Sequence, residues 1–235
     1  MKRFYRTVAT AAEDGGHLVL LDGRAVRTPA KAVLCLPTVS LAASVAGEWQ
    51  AQDAEIKPHS MPMTQLSFTA LDLTAAKRHE IVEATATYAS NDLLCYRAER
   101  PEALRQRQQA LWQPLLDWAQ RRYDAPLAVT SSILSVEQPE QSVEAFFNLV
   151  EGLEEFALTG LSHAVSVTGS LILGLALMEG FLDAAGIFEA SELDESFQLE
   201  QWGEDAEATR LRAARLADLE SAERFLKALS LTQQA

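Results

Sequence analysis

Histidine, cysteine and basic residues are scarce among these 235 residues, and each shortage removes a class of function. Cys35 and Cys95 lie far apart with no other cysteine near either, so neither a CxxC redox pair nor a thiolate metal knuckle can form. Two buried thiols in a reducing compartment are the expectation. The four histidines (His17, His59, His79, His163) are scattered, and no two could share one turn of a helix as metal ligands. No metal and no other cofactor is expected. Twenty bases face 33 acids, a net charge of −13, with no basic arm or aromatic-plus-basic repeat. Duplexes and anionic lipid repel such a chain, so neither nucleic acid nor membrane insertion is expected.

Catalytic signatures are missing as well. Gly15-Gly16 precedes a strand rather than following one, and GSLILG (Gly169 to Gly174) lacks the lysine and serine of a phosphate loop. No GxSxG elbow occurs, and no serine, histidine and acid share a local frame. MKRFYRTVAT starts with basic residues but has no apolar stretch of about seven or more, so it does not read as a secretory signal. The most apolar run, Val165 to Leu182, contains Thr168, Ser170 and Glu179 and reads as a buried core helix rather than a membrane span.

What is present is a globular balance, 48% hydrophobic and 23% charged, enough for one large or two modest compact units. Phe4 to Thr10, His17 to Leu21, Arg24 to Thr28 and Ala32 to Leu36 read as four antiparallel strands in a meander, with Asp22-Gly23 as a hairpin turn. From Thr38 the period becomes helical: Leu41, Val45, Trp49 and Gln52 fall on one side, with Thr38 or Ser40 as N-cap. Prolines 58 and 62 interrupt, and a helix resumes near Thr64.

Beyond about residue 75 the signal is helical. Four stripes carry it: Leu104, Leu111, Leu115, Trp118; Val143, Phe146, Phe147, Val150, Leu153, Ala157; Ile187, Ala190, Leu193, Phe197; and Leu211, Leu219, Ala222, Phe225, Leu229. Pro114 should bend or break the first, and Asp124 to Gln141 is a long irregular connection with a short extended piece near Leu127. The fold class is therefore α+β: a β-rich N-terminal domain with a covering helix over residues 1–75, then an all-α bundle over 76–235.

LDESFQLEQWGEDAEA (Leu193 to Ala208) concentrates six carboxylates around one tryptophan. At about 100° per residue, Glu195 and Trp202 lie within about 20° of each other with Gln198 beside them, opposite Ala190, Leu193 and Phe197. That makes a polar and aromatic strip facing away from the core. Gly203 suits an αL helix end, and Glu204, Asp205 and Glu207 suit the N-terminus of the next helix. Ser191 and Asp194 have capping-box spacing. In NDLLCYRAERP, Asn91 reads as the cap of a short turn, with Leu93, Leu94 and Tyr96 inward and Arg97 free to pair with an acid.

RFYRTV, LLDGRAVRTP, EWQAQ, IKPHSMPMT, YASNDLLCYRAERP, RQRQQALWQPLLDWA, TGSLILGLAL and LDESFQLEQWGEDAEA occur in this order. Together, from Phe4 to about Leu229, they resemble the assembly chaperones of the ATP synthase catalytic head. The resemblance implies a non-enzymatic protein that holds the unassembled alpha subunit, prevents its self-association and is displaced by the beta subunit. It implies that Asp194 and Glu195 matter for the alpha subunit. It leaves Trp49, and Asp92 with Arg97 in the DLLCYR block, either partner-binding or structural. Mitochondrial members carry a targeting extension that is not seen here, so a bacterial, cytoplasmic, monomeric protein is expected. The alternatives are an acid-pair hydrolase using Asp194 and Glu195, or a scaffold gripping another helical protein through the same strip.

Overall fold

In the computed structural model, residues 1–132, 134–203 and 206–230 are described. The strands are β1 (Val8–Glu13), β2 (Gly16–Leu21), β3 (Arg24–Ala25) and β4 (Cys35–Leu36). The helices are α1 (Val39–Gln50), α2 (Pro62–Thr69), α3 (Arg78–Ala86), α4 (Glu102–Tyr123), α5 (Glu140–Glu151) and α6 (Glu155–Thr168). They continue as α7 (Leu171–Met178), α8 (Ala184–Ser191), α9 (Leu193–Trp202) and α10 (Ala206–Ser230). A small antiparallel sheet followed by helices is the α+β class read from the sequence. None of the described helices is long and apolar enough to cross a membrane.

The chain divides into two compact units, and the division is not a single cut. The first holds residues 1–78 together with 154–160 and the described residues 224–230; the second holds 79–153 and 161–223. The first unit needs the late segments because Phe225 and Ala228 are buried in its core with Val19, Leu34, Leu36, Leu41, Val45 and Trp49. Thr38 ties the ends together. Its hydroxyl accepts from Leu41 N–H at 3.0 Å as the N-cap of α1 and donates to Ala228 O at 2.7 Å.

The sheet is not the expected meander. β2 lies in the middle, with β1 on one side and both β3 and β4 paired to it on the other. After β3 the chain forms a second hairpin, bridging Arg27 and Val33, before Cys35 and Leu36 reach Leu18 and His17. Alternation alone cannot distinguish that return path from a fourth meander strand. Gly16 is where β4 comes close: a Cβ there would sit 2.6 Å from Leu36 O. Asp22 and Gly23 do make the expected tight turn, at φ 47° and 79°.

Beyond the sheet three expected helices divide. The second stripe spans α5 and α6, broken at Gly152, and the third spans α8 and α9, broken at Glu192. The run from Val165 is likewise two helices, because Gly169 takes φ 70° and Ser170 starts α7 as its N-cap. By contrast α4 runs unbroken through Pro114. Its buried side is Leu104, Gln108, Trp112, Leu115 and Ala119, while Leu111 and Trp118 are only half-buried. On α10, Leu211 is 58% exposed and burial begins at Leu219. The irregular connection after α4 carries one parallel bridge, Tyr96 to Thr130.

Helix α7 is the most enclosed helix of the second unit, buried from Leu171 to Leu177. A Cβ on Gly174 would stand 2.6 Å from Val165 Cγ2 and 3.0 Å from Leu161 Cδ1. Alanine would ordinarily stabilise a helix interior, by about 1 kcal/mol. Here a stiff β-branched side chain fills the space, so Gly174→Ala is expected to lower stability by about 1–3 kcal/mol in urea unfolding. A raised midpoint at unchanged slope would contradict this packing.

Candidate functional site

The residues singled out in the sequence fall into three places. Trp49 belongs to the first unit, where it is 7% exposed, packs edge-on to Tyr5 at 5.6 Å and accepts the Tyr5 hydroxyl on its carbonyl at 2.6 Å. The rest of its motif holds the following loop. Glu48 accepts from Met63 N–H, Thr64 N–H and the Thr64 hydroxyl at 2.7–2.8 Å, capping α2, and Gln52 accepts from Lys57 N–H at 2.7 Å. Burial pushes the Glu48 carboxyl up.

Asp92 lies elsewhere, completely buried in the second unit. It, rather than Asn91, is the cap of the turn at Leu93–Cys95, accepting from Leu94 N–H at 3.0 Å. It also accepts from the Ser170 hydroxyl at 2.7 Å and Ile172 N–H at 3.1 Å, at the positive N-terminal end of α7. Asparagine and aspartate cap equally well by local rules. Only the approach of α7 decides between them. Burial pushes the Asp92 carboxyl up to about 6, while the donors from Ser170 and Ile172 pull it down. The neighbouring Cys95 thiol is pushed up to about 12, first by burial and then by Asp92.

Arg97 is not free to pair at the surface. It is 8% exposed and lies 5.1 Å over the Trp112 ring, and its guanidinium donates to Gln108 O at 2.7 Å. Gln108, also buried, is the junction that the sequence reading missed. Its side-chain carbonyl accepts from Ala98 N–H and its amide donates to Asp194, both at 2.7 Å. The structure thus joins Arg97 and Asp194 through one glutamine. A signal for it existed: Gln108 sits four residues from both Leu104 and Trp112, a polar side chain in a buried stripe.

Asp194 does not close a capping box with Ser191. The Ser191 hydroxyl donates back to Phe188 O at 3.1 Å, because α8 already began at Ala184 under the Asp183 cap. Glu192, 4% exposed, is a second residue missed from sequence. Between α8 and α9 it accepts from Arg212 at 3.0 Å and Arg215 at 2.6 Å. Arg107 adds a bond to Glu200 at 2.7 Å and lies 5.2 Å over Phe197, and so ties α9 to α4.

Glu195, Gln198 and Trp202 are left on the exposed side of α9. Trp202 is 87% exposed, the most of any large apolar side chain described. None of the three side chains makes a hydrogen bond or ion pair with another described residue. The helix ends at Gly203 with φ 86° and ψ 165°, a glycine conformation but not the αL one expected. Glu204 and Asp205 lie outside the described residues, and Glu207 stands in the first turn of α10.

This arrangement gives no facing carboxylate pair. Asp194 and Glu195 are neighbours about 100° apart on one helix, one turned to Gln108 and the other to solvent. The groove along α4 and α9 is lined by Arg107, Ala110, Leu111, Leu193, Ser196 and Glu200, with Glu189 of α8. Among the described residues, no group of His, Cys, Asp and Glu is placed to hold a metal ion.

The architecture is thus a small antiparallel sheet followed by a helical unit whose acidic helix α9 leaves a tryptophan uncovered, and comparison with known proteins finds the same architecture among assembly chaperones. The chain belongs to the ATP12 chaperone family, whose model matches residues 2–120. The crystal structure of Atp12 from Paracoccus denitrificans has a TM-score of 0.94 at 41% identity, covering 97% of this chain and 98% of that one. An aspartate-to-lysine mutant of the Paracoccus denitrificans Atp12p scores 0.94 at 40% identity, with 97% of each chain covered. The mitochondrial protein atp12 of Schizosaccharomyces pombe is 25% identical over 220 residues, 87% of this chain and 75% of that protein.

Asp92 gives this region a measurable pH dependence. Its folded value of about 6 lies above the ordinary 3.8, so protonation favours the folded state. That stabilisation is complete below 3.8 and is lost as pH rises through about 6. Asp92→Asn cannot titrate and turns an amide donor towards N–H groups, a loss of about 1–3 kcal/mol at pH 7. The gap between wild type and variant should widen from pH 7 to pH 5 in denaturant titrations. A gap that stays level would refute the raised carboxyl.

Proposed function

We propose that this protein is an assembly chaperone of the ATP synthase catalytic head that holds the unassembled alpha subunit until the beta subunit displaces it. The observation that carries the reading is the Glu195, Gln198 and Trp202 strip on α9, with its tryptophan 87% exposed. An indole left in water contributes nothing to folding, whereas a partner that buries it gains one of the largest contacts an interface offers. Membership of a chaperone family supports the same reading.

In this reading Glu195 and Trp202 touch the partner, Gln198 lies between them, and Asp194 steadies α9 from behind through Gln108. Asp92 and Arg97 act through the scaffold, as their burial favours, and Trp49 does so in the first unit. The partner surface has an apolar pocket for Trp202 and a basic group for Glu195, matching the polar and aromatic strip. The protein works as a monomer in a bacterial cytoplasm. A hydrolase using Asp194 and Glu195 is not favoured by the way those carboxylates diverge.

Glu195→Lys and Trp202→Ala are each expected to weaken capture of purified unassembled alpha subunit at least tenfold, about 1.4 kcal/mol or more. Their unfolding free energies should stay within about 0.5 kcal/mol of wild type, because the sites are exposed. Undiminished capture by both variants would remove the strip from the interface.

A further inference from the structure

The first unit contains a second feature that folding alone does not explain. A cleft of about 790 Å³ is lined by Met1, Phe4, Tyr5 and the stretch from Arg24 to Pro29, with Leu21, Asp22, Trp49 and Phe68. Phe4 on its lip is 66% exposed and Met1 77%. Two large apolar side chains are thus exposed at a cleft that Tyr5, Trp49 and Phe68 also line.

One wall of this cleft is a free sheet edge. Val26 donates to Val19 O and accepts from Leu34 N–H, and Thr28 donates to Ala32 O. Backbone groups alternate in direction along a strand, so the N–H and C=O of Ala25 and Arg27 point the other way. Both residues line the cleft. Leu20 and Ala25 form the pair between two hydrogen-bonded ones, as do Arg27 and Val33, which fixes the same alternation. The edge therefore offers two donors and two acceptors at the spacing that an added antiparallel or parallel strand uses.

Charge narrows the choice of guest. Residues 1–31 carry six bases (Lys2, Arg3, Arg6, Arg24, Arg27, Lys31) against three acids (Glu13, Asp14, Asp22), a net of 6 − 3 = +3 in a chain of −13. Arg24 and Arg27 line the cleft, Arg27 with one guanidinium nitrogen donating to Lys31 O at 2.8 Å and its charge not neutralised by that carbonyl. The one acid there, Asp22, is occupied by N–H groups of Arg6 and Thr7 and by the Thr7 hydroxyl, at 2.9–3.2 Å. Cations on an exposed edge discourage indiscriminate strand pairing. They leave it open to a strand that brings carboxylates.

We propose that the cleft of the first unit is a strand-docking site for an extended segment of the client polypeptide, apolar towards Phe4, Tyr5 and Trp49 and acidic beside Arg24 and Arg27. The segment pairs with the free edge at Ala25 and Arg27. This rests on the reading of the protein as a chaperone, and it adds a second contact, separate from the α9 strip, that engages an unfolded or unassembled stretch of chain by its backbone.

The test uses the full chain, labelled with nitrogen-15, and the capped peptide Glu-Val-Glu-Phe-Glu-Val. The Ala25 and Arg27 amide signals should shift to saturation, and the lysine counterpart, Lys-Val-Lys-Phe-Lys-Val, should bind at least tenfold more weakly. Arg24→Glu with Arg27→Glu should weaken the acidic peptide at least tenfold at unchanged thermal transition. Ala25→Pro removes only an edge-facing N–H, so it should fold and lose the peptide. Equal binding of both peptides, or binding without movement of the two amides, overturns the site. Concentration-dependent protection of the same amides without peptide would make a second copy of this chain the occupant and overturn the client assignment. With unassembled alpha subunit, capture that leaves amides 24–28 unprotected from hydrogen exchange rejects the cleft but keeps the chaperone reading. Absence of capture rejects that reading instead.

Discussion

A carboxylate buried without a cation is the constraint on which the second unit turns. Asp92 would be costly in an apolar interior if its oxygens were not matched by donors. Ser170 and the first amides of α7 supply them, and the turn at Leu93 to Cys95 supplies another. One side chain thereby satisfies two sets of N–H groups that would otherwise be orphaned in the core. The most enclosed helix of the unit is fixed at its start, and Arg97 is fixed a few residues beyond the same turn.

From Arg97 the order passes outward. Gln108 receives the guanidinium on its backbone and holds Asp194 with its side chain, so the first turn of α9 is set from inside. Glu192, clasped by Arg212 and Arg215, fixes the joint with α8. Arg107 fixes the outer end through Glu200. All these bonds lie on one side or at the ends of α9. The opposite side keeps Glu195, Gln198 and Trp202 uncovered on a helix anchored from behind, so a partner need not order the helix itself on binding.

Much of this was legible in the sequence wherever a short-range rule had no competitor. The Asp22-Gly23 turn and the exposed strip on α9 depend on neighbours within a few residues, whereas the choice of Thr38 over Ser40 as cap of α1 came only with the structure. Expectations failed where two local rules tied or where the deciding neighbour was remote. Asn91 and Asp92 cap equally well until α7 arrives with its N-terminal amides. Ser191 and Asp194 have box spacing, yet Asp183 had already started the helix. Of the two effects expected of Pro114, a bend or a break, the break does not occur: α4 runs on, with Trp112, Leu115 and Leu116 around the proline buried.

The sequence by itself determined the fold class, the sign of the surface and the side of α9 that stays wet. Those follow from periodicity and composition, which are properties of the chain. Only the tertiary structure decided that β4 returns to β2, that residues 154–160 and 224–230 complete the first unit, and that Gln108 joins Arg97 to Asp194. Each of these depends on a contact between residues far apart in sequence, chosen by which buried polar groups and apolar faces could be satisfied together, and no local pattern encodes that choice.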